Sequence, residues 1–289
     1  PRLHGGVGGG GHRGRHEAVA EEVVPVSDLL RIAPSTFSFR RPARMIERHT
    51  VAYRRQWMLI VSGFFEPLFY LLSMRAGLGS LVGTVSMGGR QVPYDVFVAP
   101  ALMASSAMNG AVYDSTGNVM HRLKYARIYD AALATPMSPA ELAVGEIGWA
   151  LIRGQIYAIS FLAVMAGLGL VDSWWCLMAL PACALIGLTF ASIGFAGTTY
   201  MRGWADMDIV TTVSMPLFLF SATFFPTSAY GSWAWLVQVS PLYHGVALVR
   251  GANSGVWSVG MVGHVLVLTT LSVVALRIAS RRLDTLLRK

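Results

Sequence analysis

Charge is the first thing this chain lacks. Asp, Glu, Lys and Arg supply 13% of its 289 residues, about half the ~25% of an ordinary soluble domain. With 54% apolar residues and a mean hydropathy of +0.52, that scarcity excludes a soluble globular protein and reads as a polytopic membrane protein. Cysteine is nearly missing too. Cys176 and Cys183 sit seven apart inside an apolar stretch, a spacing that suits neither a CxxC redox pair nor a zinc site, so both read as packing residues. The Gly-rich start, Pro1 to Arg15, carries no GxxxxGK[ST] and follows no strand, so it is not a phosphate-binding loop. It is also too polar for a cleavable signal peptide.

Titratable clusters inside the apolar segments are absent as well. A membrane-embedded lipid-modifying enzyme would need grouped Asp, Glu, His or Lys there. An ion-coupled secondary transporter or channel usually shows charged pairs at mid-membrane or repeated broken helices. Both stand as competing readings, and Glu66, alone in its apolar segment, supports neither strongly. The net charge of +8 could suggest nucleic acid, but the basic residues flank the apolar runs. That placement points to anionic membrane lipid as the partner, and to no nucleic acid.

What is present is apolar length. The pattern predicts an all-α protein with three parts: a cytoplasmic, disordered tail over 1–38, an amphipathic interfacial helix over 39–56 and a six-span domain over 57–289. In the interfacial helix, Met45, Ile46 and Tyr53, with Trp57 beyond, fall on one side of a strongly basic segment. The spans are expected at Trp57–Met74, Val96–Tyr113, Ile147–Leu170, Trp174–Thr199 (kinked at Pro181), Ile209–Phe225 and Val259–Ile278. The second carries Ala104, Ser105, Ser106, Ala107 and Gly110, small residues that allow close helix contact. Between the second and third lies the longest polar connection, Asp114–Leu142, with a short helix expected over Val119–Leu133. Ser138 and Glu141 then form a capping box for the next helix. After Pro226 the chain stays apolar and aromatic to Arg250 but is broken by Pro, Gly and Ser. This predicts a re-entrant hydrophobic hairpin or short helices at the outer surface, where Trp and Tyr rings prefer to sit.

Of the 23 Lys and Arg residues, only Arg75, Arg90 and Arg250 fall on one side of this six-span arrangement. The excess on the other side places both termini in the cytoplasm.

Four segments carry a resemblance: EPLFYLLSMRAGLGS (Glu66–Ser80), YDAALATPMSPAELAVGE (Tyr129–Glu146), PLFLFSATFFP (Pro216–Pro226) and PLYHGVALVRG (Pro241–Gly251). In that order the chain resembles the ABC type-2 transporter permeases, and most closely those of lipo-oligosaccharide and daunorubicin-resistance exporters. One departure is Ala222, where that family often has Gly; it is expected to alter little beyond local packing. The resemblance implies a bacterial cytoplasmic-membrane permease subunit, not itself an enzyme. It would export a lipid-like, glycolipid or hydrophobic drug cargo, drive being supplied by a separate ATPase partner that binds ATP and Mg. A second, identical or sister permease would complete the unit. The resemblance also implies that Arg127, Tyr129, Asp130, Leu133, Thr135 and Pro136 couple the chain to the ATPase.

Glu66, Tyr70, Phe220, Phe224 and Phe225 are candidates for a translocation route or gate. A carboxylate at mid-membrane costs ~2.5–3.5 kcal/mol on insertion scales, so Glu66 should meet water or a partner such as Arg75 or Arg250. Route contact and structural pairing both satisfy that requirement. Asp114 and Glu146 read as interfacial residues at inner span ends, Arg153 as a snorkelling one, and His244 and His264 as hydrogen-bonding groups within the hairpin and the bundle.

Overall fold

The computed structural model describes residues 38–53, 57–87 and 89–287, with the side chains of 52, 53, 57–64, 66, 67, 80, 133 and 287 outside that description. The predicted tail therefore lies outside the described residues, apart from Ser38, and so do the side chains of Glu66 and Leu133.

Among the described residues the fold is built of helices, save one two-stranded hairpin. A first helix, α1 (Arg40–Tyr53), precedes a long one, α2 (Trp57–Val82). This second helix outruns its predicted end at Met74, because Gly77 and Gly79 do not break it. It stops at Gly83, which takes a φ of +68°. A tight antiparallel hairpin follows, β1 (Thr84–Met87) and β2 (Arg90–Pro93), with Val85 opposite Val92.

Next comes α3 (Tyr94–Tyr113), the centre of the core. Its predicted small residues are the ones that neighbouring helices approach: Ala104, Ser105, Ser106 and Ala107 are all buried. Gly110 lies so close to α5 (Pro139–Gly167) that an added Cβ would come within 3.3 Å of the Tyr157 ring. α3 runs on through two π-type turns, Asp114–Asn118 and His121–Tyr125, before α4 (Ile128–Leu133). The single helix expected over Val119–Leu133 is thus divided. Ser115 and Thr116 hydroxyls take the Val112 carbonyl at 3.3 and 2.6 Å, and Arg127, at φ +46°, turns the chain out of the helix. Competing bonds of this kind are one way a π-bulge is stabilised.

α5 opens on the predicted capping box: Ser138 accepts from the Glu141 backbone N–H at 3.2 Å, and Glu141 accepts from that of Ser138 at 2.8 Å. A 3₁₀ turn (Trp174–Met178) leads into α6 (Ala179–Thr198). Pro181 falls in the first turn of α6 rather than within it. A missing N–H is harmless there, so the expected kink is replaced by a helix start. α6 packs against α3, α5 and α10 (Val259–Leu287). The Thr189 hydroxyl meets Ser272 of α10 at 2.9 Å.

The predicted fifth span is shorter than expected. α7 (Met207–Leu219) has 13 residues, ~20 Å of helix against a ~30 Å hydrocarbon core. It carries Pro216 internally and unwinds at Phe220, and Ala222 adopts φ +56°. A 3₁₀ segment (Thr227–Trp233), α8 (Ala234–Val239) and α9 (Pro241–Ser254) follow. The broken apolar stretch is therefore a series of short helices. Among the described residues, four helices are long and apolar enough to cross a membrane: Tyr94–Tyr125, Pro139–Gly167, Trp174–Thr198 and Val259–Leu286. α2, at 26 residues, has the length to do so.

Candidate coupling site

The end of the bundle that holds α1, α4 and the start of α5 is built on buried charge. α1 turns Pro42, Met45 and His49 inward at helical spacing and leaves Arg40, Arg44 and Arg48 exposed. Its seat is α5, where two glycines make room. A Cβ on Gly145 would meet Met45 at 3.0 Å, and one on Gly148 would meet Ile46 at 2.8 Å. The apolar side read from the sequence is thus used against a helix of the same chain. Glu141, besides capping α5, accepts from the Ser38 N–H at 2.7 Å and pairs with Arg41 at 3.0 Å. One carboxylate therefore starts α5 and anchors the start of α1.

One turn further along α5 lies Glu146, which is buried. It is flanked by His49 of α1, Nε2 to Oε1 3.3 Å, and is ion-paired to Arg122 from the π-type turn. Trp149 packs beside His49, ring centroids 5.8 Å apart. The Tyr129 side chain of α4, fully buried, faces the Glu146–Arg122 pair. Burial first, and then the Glu146 charge, push its hydroxyl well above the usual phenol range, so it stays a neutral O–H. A second pair lies deeper: Asp114 meets Arg153 at 2.7 Å, Arg153 also donates to the Tyr157 hydroxyl at 2.9 Å, and Asn118 donates to Asp114. Asp114 and Glu146 are thus buried ion-pair partners, which corrects their reading as plain interfacial residues. Arg153 is held inside rather than reaching for water.

The predicted coupling residues divide by depth. Arg127, Asp130, Thr135 and Pro136 are exposed, while Tyr129 is rooted in the core below them. The Thr135 hydroxyl bonds the Ala132 carbonyl at 2.5 Å. Leu133 lies outside the described side chains. Sequence reasoning missed His49 and Arg122. A signal for the cluster was present, since Glu146, Trp149, Arg153 and Tyr157 repeat at three and four residues along one face of α5.

The route candidates are spread out. Tyr70 stands edge-on to Phe218 at 6.2 Å, and Phe218 to Phe224 at 5.1 Å. Phe224 is buried in the core, whereas Phe220 and Phe225 are exposed, Phe220 lying near Tyr230. Glu66 lies outside the described side chains. Of its two suggested partners, Arg75 pairs with Asp95 at 3.5 Å. His244 and His264 meet through their Nδ1 atoms at 2.7 Å.

The family model described as ABC-2 type transporter matches residues 43–253. Nodulation protein J of Rhizobium leguminosarum bv. trifolii is 31% identical over 222 residues, 75% of this chain and 83% of that protein. Nodulation protein J of Rhizobium meliloti is 28% identical over 66% of this chain and 72% of its own length. The protein of the same name from Bradyrhizobium diazoefficiens is 28% identical over 74% of this chain and 83% of its own length.

Proposed function

Since the chain belongs to the ABC-2 type transporter family, we propose that it is the membrane subunit of an ATP-driven exporter, moving an amphipathic lipid or glycolipid outward. Likeness to proteins named for nodulation supports the lipo-oligosaccharide side of the family over hydrophobic drugs. ATP and Mg belong to a separate ATP-binding subunit, and a second permease, identical or sister, completes the unit. In this reading the chain crosses the bacterial cytoplasmic membrane six times with both termini inside. α2 and α7 with its following turn are the first and fifth crossings, and the short helices from Thr227 to Ser254 form the re-entrant outer hairpin.

The observation that carries the mechanism is the depth division at α4. A lever needs an exposed surface for the motor to push and a rigid root that passes the push on. Arg127, Asp130, Thr135 and Pro136 supply the surface, and Tyr129 the root. Beneath Tyr129 the Glu146–Arg122–His49 cluster ties α4, α3, α5 and α1 together. Closure of an ATPase dimer against α4 would then move α5 and α1 as one unit. A buried network of this kind has discrete arrangements rather than a continuous range.

The test is purification with the candidate ATP-binding subunit in mild detergent, followed by ATPase assays with glycolipids. Co-purification and stimulation by an amphipathic glycolipid are expected. If no ATP-binding subunit associates, the exporter reading fails. If one associates but its activity ignores lipids, the cargo assignment fails.

A further inference from the structure

At the end of the bundle opposite α4, the β1–β2 hairpin, the 3₁₀ segment after Pro226, α9 and the start of α10 enclose an open cavity of about 990 Å³. Its lining is mixed. Phe97, Val246 and Met261 give apolar wall, while Arg250 and Arg90 bring two cations. Hydroxyls from Tyr243, Ser254 and Ser258 lie on the same surface.

Arg250 is held by neutral groups. Its Nε donates to the Phe97 carbonyl at 3.1 Å, its Nη2 donates to the Thr223 carbonyl at 3.0 Å, and its guanidinium lies 3.7 Å from the centroid of the Phe97 ring. These bonds use two of its five N–H donors. Among the described residues no carboxylate lies within ion-pair distance of it. The charge balance of this end repeats the point. The cations there are Arg75, Arg90 and Arg250, the carboxylates Asp95 and Asp172. Arg75 and Asp95 pair with each other at 3.5 Å, which leaves two arginines and one aspartate around a single cavity. Asp172, which also lines the cavity, lies in the loop before the 3₁₀ turn, where burial raises its carboxyl above the usual range.

A guanidinium fixed from behind by carbonyls and an aromatic face, with donors left over and no carboxylate partner among the described residues, suits an oxyanion. The apolar wall beside it suits a hydrocarbon chain. We propose that this cavity binds the anionic headgroup of an amphiphile, a phosphate or sulfate ester or a carboxylate. Arg250 binds the oxyanion at the base, Arg90 draws it in from the hairpin, and the first part of the acyl chain lies along Phe97, Val246 and Met261. The assignment of this end to the outer leaflet rests on the proposed orientation; the binding itself does not.

The test uses the full chain in dodecyl maltoside micelles with dansyl-labelled lysophosphatidylglycerol, against dansyl-labelled lysophosphatidylcholine as the zwitterionic control. The anionic probe is expected to bind about tenfold more tightly, the worth of one charge-assisted hydrogen bond. Arg250→Gln is expected to abolish that preference. Since Arg250 also ties α9 to α3 and to the turn after α7, Arg90→Gln is the second variant. Arg90 is exposed, so this change leaves thermal unfolding in place and is expected to lower the preference about threefold. Equal binding of the two probes by the unaltered protein overturns the proposal, and so does a preference kept in both variants. Displacement of the anionic probe by inorganic phosphate as readily as by unlabelled lysophosphatidylglycerol also overturns it, since the site would then serve a free anion. The assay needs neither ATP-binding subunit nor transport. Failure to recruit an ATPase therefore leaves this site standing, and loss of this site leaves the exporter reading standing.

Discussion

The two ends of the bundle treat charge in opposite ways. At the α1–α4 end, three buried carboxylates are each matched to a cation: Glu141 with Arg41, Glu146 with Arg122 and His49, Asp114 with Arg153. At the cavity end they are few, and Arg250 is held by carbonyls and a ring. Both ends have irregular backbone, of different kinds. The first has π-type turns and a left-handed Arg127 beside the capped start of α5, whereas the second is short helices joined by Pro226, Gly231 and a left-handed Ala222. The contrast teaches that buried pairing ties elements of different helices into one unit, while donors without a charged partner around an opening stay available to a ligand.

The largest effect should come from breaking a matched cluster. Glu146→Ala leaves Arg122 and His49 facing each other without their carboxylate, and removing one partner of a buried pair costs ~3–5 kcal/mol. Thermal unfolding in detergent should show that loss. Arg250→Ala forfeits hydrogen bonds to two neutral carbonyls and leaves no buried charge unpaired, and should cost about 1–3 kcal/mol. Equal losses from the two variants would erase the distinction between the ends.

Gly148→Val comes next. Its branches would press on Ile46, already 2.8 Å from the position of a Cβ, and overpacking of this sort costs ~1–3 kcal/mol. If α1 is seated as described, limited proteolysis should cut that helix faster in the variant. An unchanged rate would detach α1 from the unit. Pro136→Ala should be milder still for stability, within ~0.5 kcal/mol as expected for an exposed site, yet should lower transport and lipid-stimulated ATPase activity with membrane insertion intact. Full transport in Pro136→Ala would remove it from the coupling surface.

Much of this was legible in the chain. Helix periodicity, the Ser138–Glu141 box and the small residues of α3 depend on local spacing, and local spacing is written in order along a sequence. The coupling segment was proposed from family likeness, and the fold adds the depth division between exposed Arg127, Asp130, Thr135 and Pro136 and buried Tyr129. What stayed hidden depends on distance across the bundle. His49 lies 97 positions before Glu146 in number, and nothing near either one announces the other. Arg250 was visible as a lone cation, but its neutral partners among the described residues, Phe97 of α3 and the Thr223 carbonyl after α7, are brought to it only by the fold. The fifth helix was overestimated because apolar composition continues through Phe225, while the backbone already leaves the helix at Phe220.

Ala222 gives the smallest expected effect and a sharp one. The resemblance suggested that replacing the family's frequent glycine would alter packing alone. The structure puts this alanine at φ +56° with its methyl buried, so the position is a matter of backbone. A non-glycine residue in the left-handed region bears ~1–2 kcal/mol of strain. Ala222→Gly releases that strain but loses a buried methyl, ~0.8 kcal/mol, and gains unfolded-state freedom worth about 0.5–1 kcal/mol. These terms nearly cancel, so the variant should unfold within about 0.5 kcal/mol of the parent. Ala104→Gly, in regular α3 and equally buried, has no strain to release. Its loss should reach about 1.5 kcal/mol from the same methyl and entropy terms. Parallel thermal unfolding of the two variants decides the matter: equal losses would mean that the cavity end carries no backbone strain at Ala222, and that its irregularity is only a matter of where its helices stop.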